Sequence, residues 1–225
     1  MPTALVTGCS SGIGLATCQL LTDMFWRVIG VDKSSIEKSD HISEFLQQDL
    51  SRLEEISALC SRLSYFGKFD LVVNNAGVRG FKSILETDLV EWDYIQKLNV
   101  TAPFLLVKGL YPFITRPGGS IVNVASIHTF ATTENNAPYA ASKSALDSLT
   151  RSMALEFDGV GIRTNSVLPG AIDTPFLRRG VVRTKVGTAE DVAEAIVFLG
   201  DGKRSGFING QSIIIDGGLS TKLGK

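Results

Sequence analysis

Short, evenly apolar runs alternate with amphipathic stretches from one end of the chain to the other. The runs are Ala4–Val6, Arg27–Val31, Phe45–Gln47, Leu71–Val73, Ser120–Val124, Arg163–Val167 and Ser212–Ile215. They lack the in–out alternation of a half-exposed strand, so the pattern predicts seven strands covered on both faces. Two of the intervening stretches are clear helices. Thr188-Ala-Glu-Asp191 opens like a capping box, Val192, Ile196 and Leu199 follow at helical spacing, and Gly200 reads as the stop. The other runs from about Tyr139 to Phe157, with Leu146, Leu149, Met153 and Phe157 on one stripe. Strand–helix alternation of this kind predicts an α/β fold, a parallel sheet with helices on both faces. No repeat, low-complexity tract or linker interrupts it, so residues 1–225 read as a single domain.

Composition changes this picture little. Apolar residues make up 44% and charged residues 20%, as a folded globular chain requires. The 22 basic and 23 acidic residues nearly cancel, which gives no support for nucleic acid or an anionic membrane surface as the partner. Three cysteines (Cys9, Cys18, Cys60) have no paired ligand spacing, so neither a disulfide framework nor a metal site is expected. With no signal-peptide pattern and no long apolar run, the chain reads as a cytoplasmic protein.

The first predicted strand leads into Thr7-Gly8-Cys9-Ser10-Ser11-Gly12-Ile13-Gly14, with a helical pattern behind it. Glycines at a strand-to-helix turn allow a tight bend and let backbone N–H groups approach a pyrophosphate at the helix N-terminus. The second strand ends at Asp32, 18 residues beyond Gly14. A carboxylate there can accept hydrogen bonds from an adenosine ribose and would repel a 2′-phosphate. Lys33 softens that repulsion, but the loop has no Arg or Lys of its own, so NAD is favoured over NADP as cofactor.

Tyr139 and Lys143 stand one helical turn apart on one face. A free phenol ionises near pH 10, and a fixed ammonium nearby favours the phenolate, so the pair can be tuned toward proton exchange nearer neutrality. Such a pair alone is usually a buried ring and a solvated charge. Its company alters that reading. Asn74-Asn75-Ala76-Gly77 follows the fourth strand, and Asn99 stands in Leu98-Asn99-Val100. Ser126 follows the fifth strand, 13 residues before Tyr139, and Pro169-Gly170 ends the sixth.

In this order the motifs resemble the short-chain dehydrogenase/reductase family, from Thr7 to Asp216-Gly217-Gly218. The resemblance implies a doubly wound Rossmann sheet of seven parallel strands and a homodimer or homotetramer. It implies Tyr139 as general acid/base, and Lys143 as ligand of the nicotinamide ribose that also lowers the tyrosine pKa. Ser126 would bond the substrate oxygen, and Asn99 would hold a water in a proton relay behind the lysine. Gly8, Ser11, Gly12, Ile13 and Gly14 would line the pyrophosphate, Asp32 the ribose, and Asp49 and Leu50 the adenine. Asn75, Ala76 and Gly77 would support the cofactor, and Pro169, Gly170, Ile172 and Thr174 would close over the nicotinamide, with Thr174 at its carboxamide. Substrate contacts are expected from Ser126, Tyr139, His128 and Phe176. Cys9 sits where the family uses backbone, so no thiol chemistry is expected.

Only Pro175 to Gly187 separates Thr174 from the cap at Thr188, enough for a short lid and a rather open pocket. Arg178, Arg179, Arg183 and Lys185 make it basic, either as a solvated loop or to recognise an anionic substrate group. The activity implied is hydride transfer between a secondary alcohol or ketone and NAD. The alternatives are an NADP-dependent reductase of the 3-oxoacyl type, and a nucleotide-binding regulator without turnover.

Overall fold

All seven runs form strands and all pair in parallel. The structure is a computed structural model in which residues 1–36, 39–177 and 186–221 are described. The strands are β1 (Thr3–Thr7), β2 (Arg27–Asp32), β3 (Glu44–Gln47), β4 (Leu71–Asn74), β5 (Ser120–Val124), β6 (Arg163–Pro169) and β7 (Ser212–Ile215). Their order across the sheet is β3-β2-β1-β4-β5-β6-β7. The chain therefore winds outward from β1 in one direction, crosses over, and winds outward from β4 in the other. The loops leaving β1 and β4 diverge there and open a crevice at the carboxyl edge of the sheet.

The principal helices are α1 (Gly12–Asp23), α2 (Ile56–Ser64), α3 (Leu89–Gln96), α4 (Ala102–Leu110), α5 (Ala137–Asp158) and α6 (Ala189–Gly200). Because side chains alternate along a strand, each inner strand feeds two cores. On one face Leu5, Ile29, Val72 and Ile121 pack with Leu59 and Leu63 of α2, Leu106 and Leu110 of α4, and Met153 of α5. On the other face Ala4, Val6, Val28, Val73 and Val122 pack with Cys18 and Leu21 of α1 and Val192 and Ile196 of α6. Among the described residues no helix is long and apolar enough to cross a membrane.

Two expectations need correction. Covering on both faces fails at the edges, since no residue of β3 or β7 is buried. An edge strand has one neighbour instead of two, and shortness limits the hydrogen-bonding rim it leaves open. Gly200 does end α6, but not as a left-handed stop. A Cβ there would lie 2.7 Å from Cδ2 of Leu71, so glycine lets the helix end settle onto β4. The predicted capping box is present: Thr188 N–H donates to Asp191 (2.8 Å) and Asp191 N–H donates to the Thr188 hydroxyl (3.2 Å).

Candidate active site

The loops at the carboxyl edge enclose a cleft of about 300 Å³. Every site residue expected from the sequence lines it except Gly14 and Asn99. Of the expected short lid, residues 178–185, and with them Arg178, Arg179, Arg183 and Lys185, lie outside the described residues.

One half of the cleft is a cradle of backbone. Gly8 has φ +67°, and a Cβ on it would lie 2.8 Å from Asn75 and 2.9 Å from Ala76. Gly14 stands behind the loop: its Cβ would come within 2.0 Å of the Gly8 carbonyl, so only glycine lets α1 pass this close beneath the turn. The loop is fastened to β4 from below. Asn75 Nδ2 donates to the carbonyls of Thr7 (2.9 Å) and Gly8 (3.0 Å), while the Thr7 hydroxyl accepts from the backbone N–H of Asn75 and of Ala76. Ser11 starts α1 without a side-chain cap, and no acid stands in the first turn. The positive end of α1 and its N–H groups thus face the cleft with no anionic side chain of their own.

Asp32 closes the far end of this half. Its two oxygens accept from Ser10 N–H (3.0 Å) and Ser34 N–H (2.9 Å), which fixes the carboxylate while leaving lone pairs for further donors. Burial raises the Asp49 carboxyl, but donation from the Ser51 N–H and hydroxyl outweighs it and leaves the group below its ordinary range. The thiol of Cys9 is wholly buried and is pushed up to about 12, chiefly by burial and then by Asp32. It stays protonated at neutral pH. These features fit a dinucleotide: a loop that glycines let settle against β4 and α1, an uncapped helix start, and an anchored carboxylate.

The other half carries titratable side chains. Tyr139 and Lys143 lie in the first two turns of α5, where Asn136 and Pro138 mark the helix start. Lys143 is 3% exposed, and its amine donates to the Val124 carbonyl at 2.6 Å, at the end of β5. Burial pushes it down to about 8. It lies 5.8 Å from the centroid of the Tyr139 ring. Burial also raises the Tyr139 phenol, opposed by a hydrogen bond with Ser126 and by the charge of Arg79. The expected net lowering by the lysine is therefore not what the protein alone displays; loss of water around the phenol outweighs the charge of Arg79. Ser126 accepts from the His128 N–H at 3.2 Å. The His128 ring meets Tyr139 edge-on at 5.6 Å, and Phe176 lies 6.0 Å away, so both candidate substrate contacts flank the phenol.

Asn99 sits out of the cleft and wholly buried, in a π-helical turn (Lys97–Thr101) joining α3 to α4. Its Oδ1 accepts from Val78 N–H, and its Nδ2 donates to the Val78 carbonyl and to Ser142 Oγ, each at 2.9 Å. Ser142 in turn donates to the Tyr139 carbonyl at 2.7 Å. Gly77 separates Asn99 from the lysine: a Cβ there would lie 3.2 Å from Asn99 Oδ1 and 3.4 Å from Lys143 Nζ. Asn99 thus ties the loop after β4 to the helix that carries Tyr139.

Sequence reading missed Arg79 and Asn136. Arg79 follows β4 by five residues, at the carboxyl edge where sites gather, but a single loop arginine is not distinctive in a linear pattern. Asn136 had a signal, a polar residue ahead of Ala137-Pro138, which is a helix start rather than a mark of chemistry.

Comparison with known proteins places these features in context. Residues 2–182 match the family profile described as short chain dehydrogenase. 2-(R)-hydroxypropyl-CoM dehydrogenase of Xanthobacter autotrophicus is 33% identical, over 95% of this chain and 96% of its own. Among solved structures, 4-hydroxyisoleucine dehydrogenase complexed with NADH superposes with TM-score 0.91 at 28% identity, covering 99% of this chain and 100% of that one. A putative NAD(P)-dependent gluconate 5-dehydrogenase from Beutenbergia cavernae, with bound NADP at low occupancy, gives 0.87 at 27%, covering 98% and 97%.

Proposed function

The chain belongs to the short-chain dehydrogenase family, and from that premise we propose that it interconverts a small secondary alcohol and its ketone using NAD, with residues 1–225 acting as one binding and catalytic unit. A nicotinamide dinucleotide, when bound, supplies the two-electron acceptor, so that CH–OH becomes C=O with one proton released. Gly8, Ser11, Gly12 and Ile13, with the start of α1, would hold its pyrophosphate, Gly14 would keep the loop low, and Asp32 would take the adenosine ribose hydroxyls. Asp49 and Leu50 would flank the adenine. Asn75 to Gly77 would support the cradle, with Pro169, Gly170, Ile172 and Thr174 over the nicotinamide.

The observation that carries the reading is the Tyr139 ring, its centroid 5.8 Å from the Lys143 amine, in the same cleft as Ser126 and the glycine cradle. Ser126 would hold the substrate oxygen and steady its developing charge. Tyr139 would take the hydroxyl proton in oxidation and return it in reduction. Lys143, mostly protonated at neutral pH with a pKa of about 8, would make phenolate easier to form. Asn99, through Val78 and Ser142, would hold this wall in place, and a water between it and Lys143 would complete the path for the proton. Expulsion of water by substrate strengthens each of these interactions.

Turnover is tested by NADH absorbance with a panel of secondary alcohols and both dinucleotides. Tyr139→Phe should lower kcat by about 10²–10⁴-fold, the range for loss of a general acid/base, while NAD still binds. Near-wild-type turnover in that variant would refute the assignment. A higher kcat/KM with NADP would replace the NAD reading by the NADP-dependent one, which Lys33 in the cleft lining favours.

A further inference from the structure

We propose that Asp147 is a positioning residue for the reaction: through the hydroxyls of Ser166 and Ser212 it fixes α5, and with it Tyr139 and Lys143, at one height against the sheet. The inference rests on Tyr139 as the proton carrier of the proposed reaction. Tyr139, Lys143, Asp147 and Arg151 follow one another at intervals of four along α5, so they share one face of the helix. Asp147 is 8% exposed. Its Oδ1 accepts from the hydroxyl of Ser166 on β6 at 2.5 Å and from that of Ser212 on β7 at 2.6 Å, and its Oδ2 accepts from Arg151 at 2.5 Å. Burial raises this carboxyl, but the three donors outweigh it and hold the group below its ordinary range, so it is ionised at neutral pH.

Asp147 belongs to a polar rung that crosses the sheet beneath α5. Asn74 of β4, Asn123 of β5, Ser166 of β6 and Ser212 of β7 stand in register, each beside the next. Asn74 Nδ2 donates to Asn123 Oδ1 at 2.7 Å, and Asn123 Nδ2 donates to Thr150 Oγ1 of α5 at 2.8 Å. Lys143 adds its bond to the carbonyl of Val124, the residue after Asn123 on β5. Beyond Lys143 the apolar residues buried on α5 are Leu146, Met153 and Ala154. Apolar contact is non-directional, whereas a hydrogen bond holds both distance and angle. The rung therefore sets the axial position of α5 where apolar packing alone would not. Ser126 lies three residues beyond Asn123 on the chain leaving β5, so one line across the sheet references both Ser126 and Tyr139. A misplacement of about 1 Å at reacting groups costs up to about a hundredfold in rate, which makes that axial position matter to catalysis.

The test compares the wild type with Asp147→Asn, Asp147→Leu and Ser212→Ala, each assayed well below its own Tm. Asparagine keeps a carbonyl oxygen for both serine hydroxyls; leucine keeps only the volume. The substrate is the secondary alcohol that the wild type oxidises fastest, with and without deuterium on its carbinol carbon. Asp147→Leu should lower kcat by about ten- to a hundredfold and raise the isotope effect on kcat, with KM for NAD within about twofold of the wild type, because the glycine cradle stands on the β1 side of the sheet. Asp147→Asn should restore most of kcat, and Ser212→Ala should lower it by a smaller factor. A leucine variant that loses Tm but keeps kcat would overturn the proposal and leave Asp147 a purely structural role. So would equal losses in the leucine and asparagine variants, which would trace the effect to charge. If the leucine variant does not fold, Ser212→Ala on its edge strand decides: an unchanged kcat overturns the proposal, and a lowered kcat with a raised isotope effect supports it. Amide hydrogen exchange over residues 139–143 gives a reading without turnover. If the wild type oxidises no alcohol with either dinucleotide but exchange there speeds up in Asp147→Leu and not in Asp147→Asn, the anchor stands and the catalytic reading falls. Unchanged exchange removes the anchor as well.

Discussion

Lys143 illustrates how one buried side chain fixes a measurable property. Its amine is 3% exposed, bonds a backbone carbonyl, and is pushed from 10.5 down to about 8 by burial. Below pH 8 the amine is protonated in both folded and unfolded chains, and the folded state bears the full desolvation cost. Between about 8 and 10 the folded state loses its proton first, the unfolded chain binds more protons, and stability rises with pH. Above 10 the raised Tyr139 phenol acts in the opposite sense, so the window closes there. Urea unfolding of wild type and Lys143→Met should therefore diverge by roughly 2–3 kcal/mol between pH 8 and 10, in favour of the wild type as pH rises. A difference that does not vary with pH would contradict the burial. The lysine and tyrosine were legible in the sequence as a pair at helical spacing. The order of magnitude of desolvation at each was not, because it depends on walls contributed by β5, the loop after β4 and the segment around Phe176.

At the scale of elements, what was legible was whatever leaves a local imprint. Inner strands β1, β4 and β5 are buried throughout, and their near-unbroken apolar runs say so. Edge strand β7 carries a similar run, yet its exposure depends on having no outer neighbour, which local pattern does not encode; β3 already shows its edge position in the polar Glu44 and Gln47 at its ends. Arg79 and Asn136 illustrate the same gap within the site, since they meet only when the start of α5 comes against the loop after β4. The glycine loop was legible as a motif, but the structure separates its members by task. Gly14 is there for the passage of α1 beneath the loop, with a Cβ that would strike the Gly8 carbonyl at 2.0 Å. Gly14→Ala should destabilise the protein by about 1–3 kcal/mol, as overpacking does, and weaken NAD binding with it. Gly159→Ala, at a helix end where a Cβ meets nothing within 4 Å, should be neutral or slightly stabilising. Thermal unfolding and NAD titration of the two variants check the contrast; equal behaviour would mean that the loop gives way freely.

For the molecule as a whole, the cleft spans the point where the sheet reverses its winding, so a dinucleotide bound there would contact loops from both directions of the sheet. Ligand that binds only the folded state adds RT ln(1 + [L]/Kd), about 2.7 kcal/mol at a hundredfold excess over Kd. At roughly 2–4 °C per kcal/mol for a chain of this size, NADH should raise Tm by several degrees. The anchored Asp32 carboxylate predicts a smaller rise with NADPH at equal concentration, and an equal or larger one would reverse the cofactor preference. The same winding gives β1 a disproportionate place. It is five residues long, yet it pairs with β2 from Thr3↔Arg27 to Thr7↔Val31 and with β4 from Ala4↔Leu71 to Val6↔Val73. Deleting residues 3–7 would thus not shorten the sheet at its margin but divide it down the middle, parting a two-stranded flap from a four-stranded remainder.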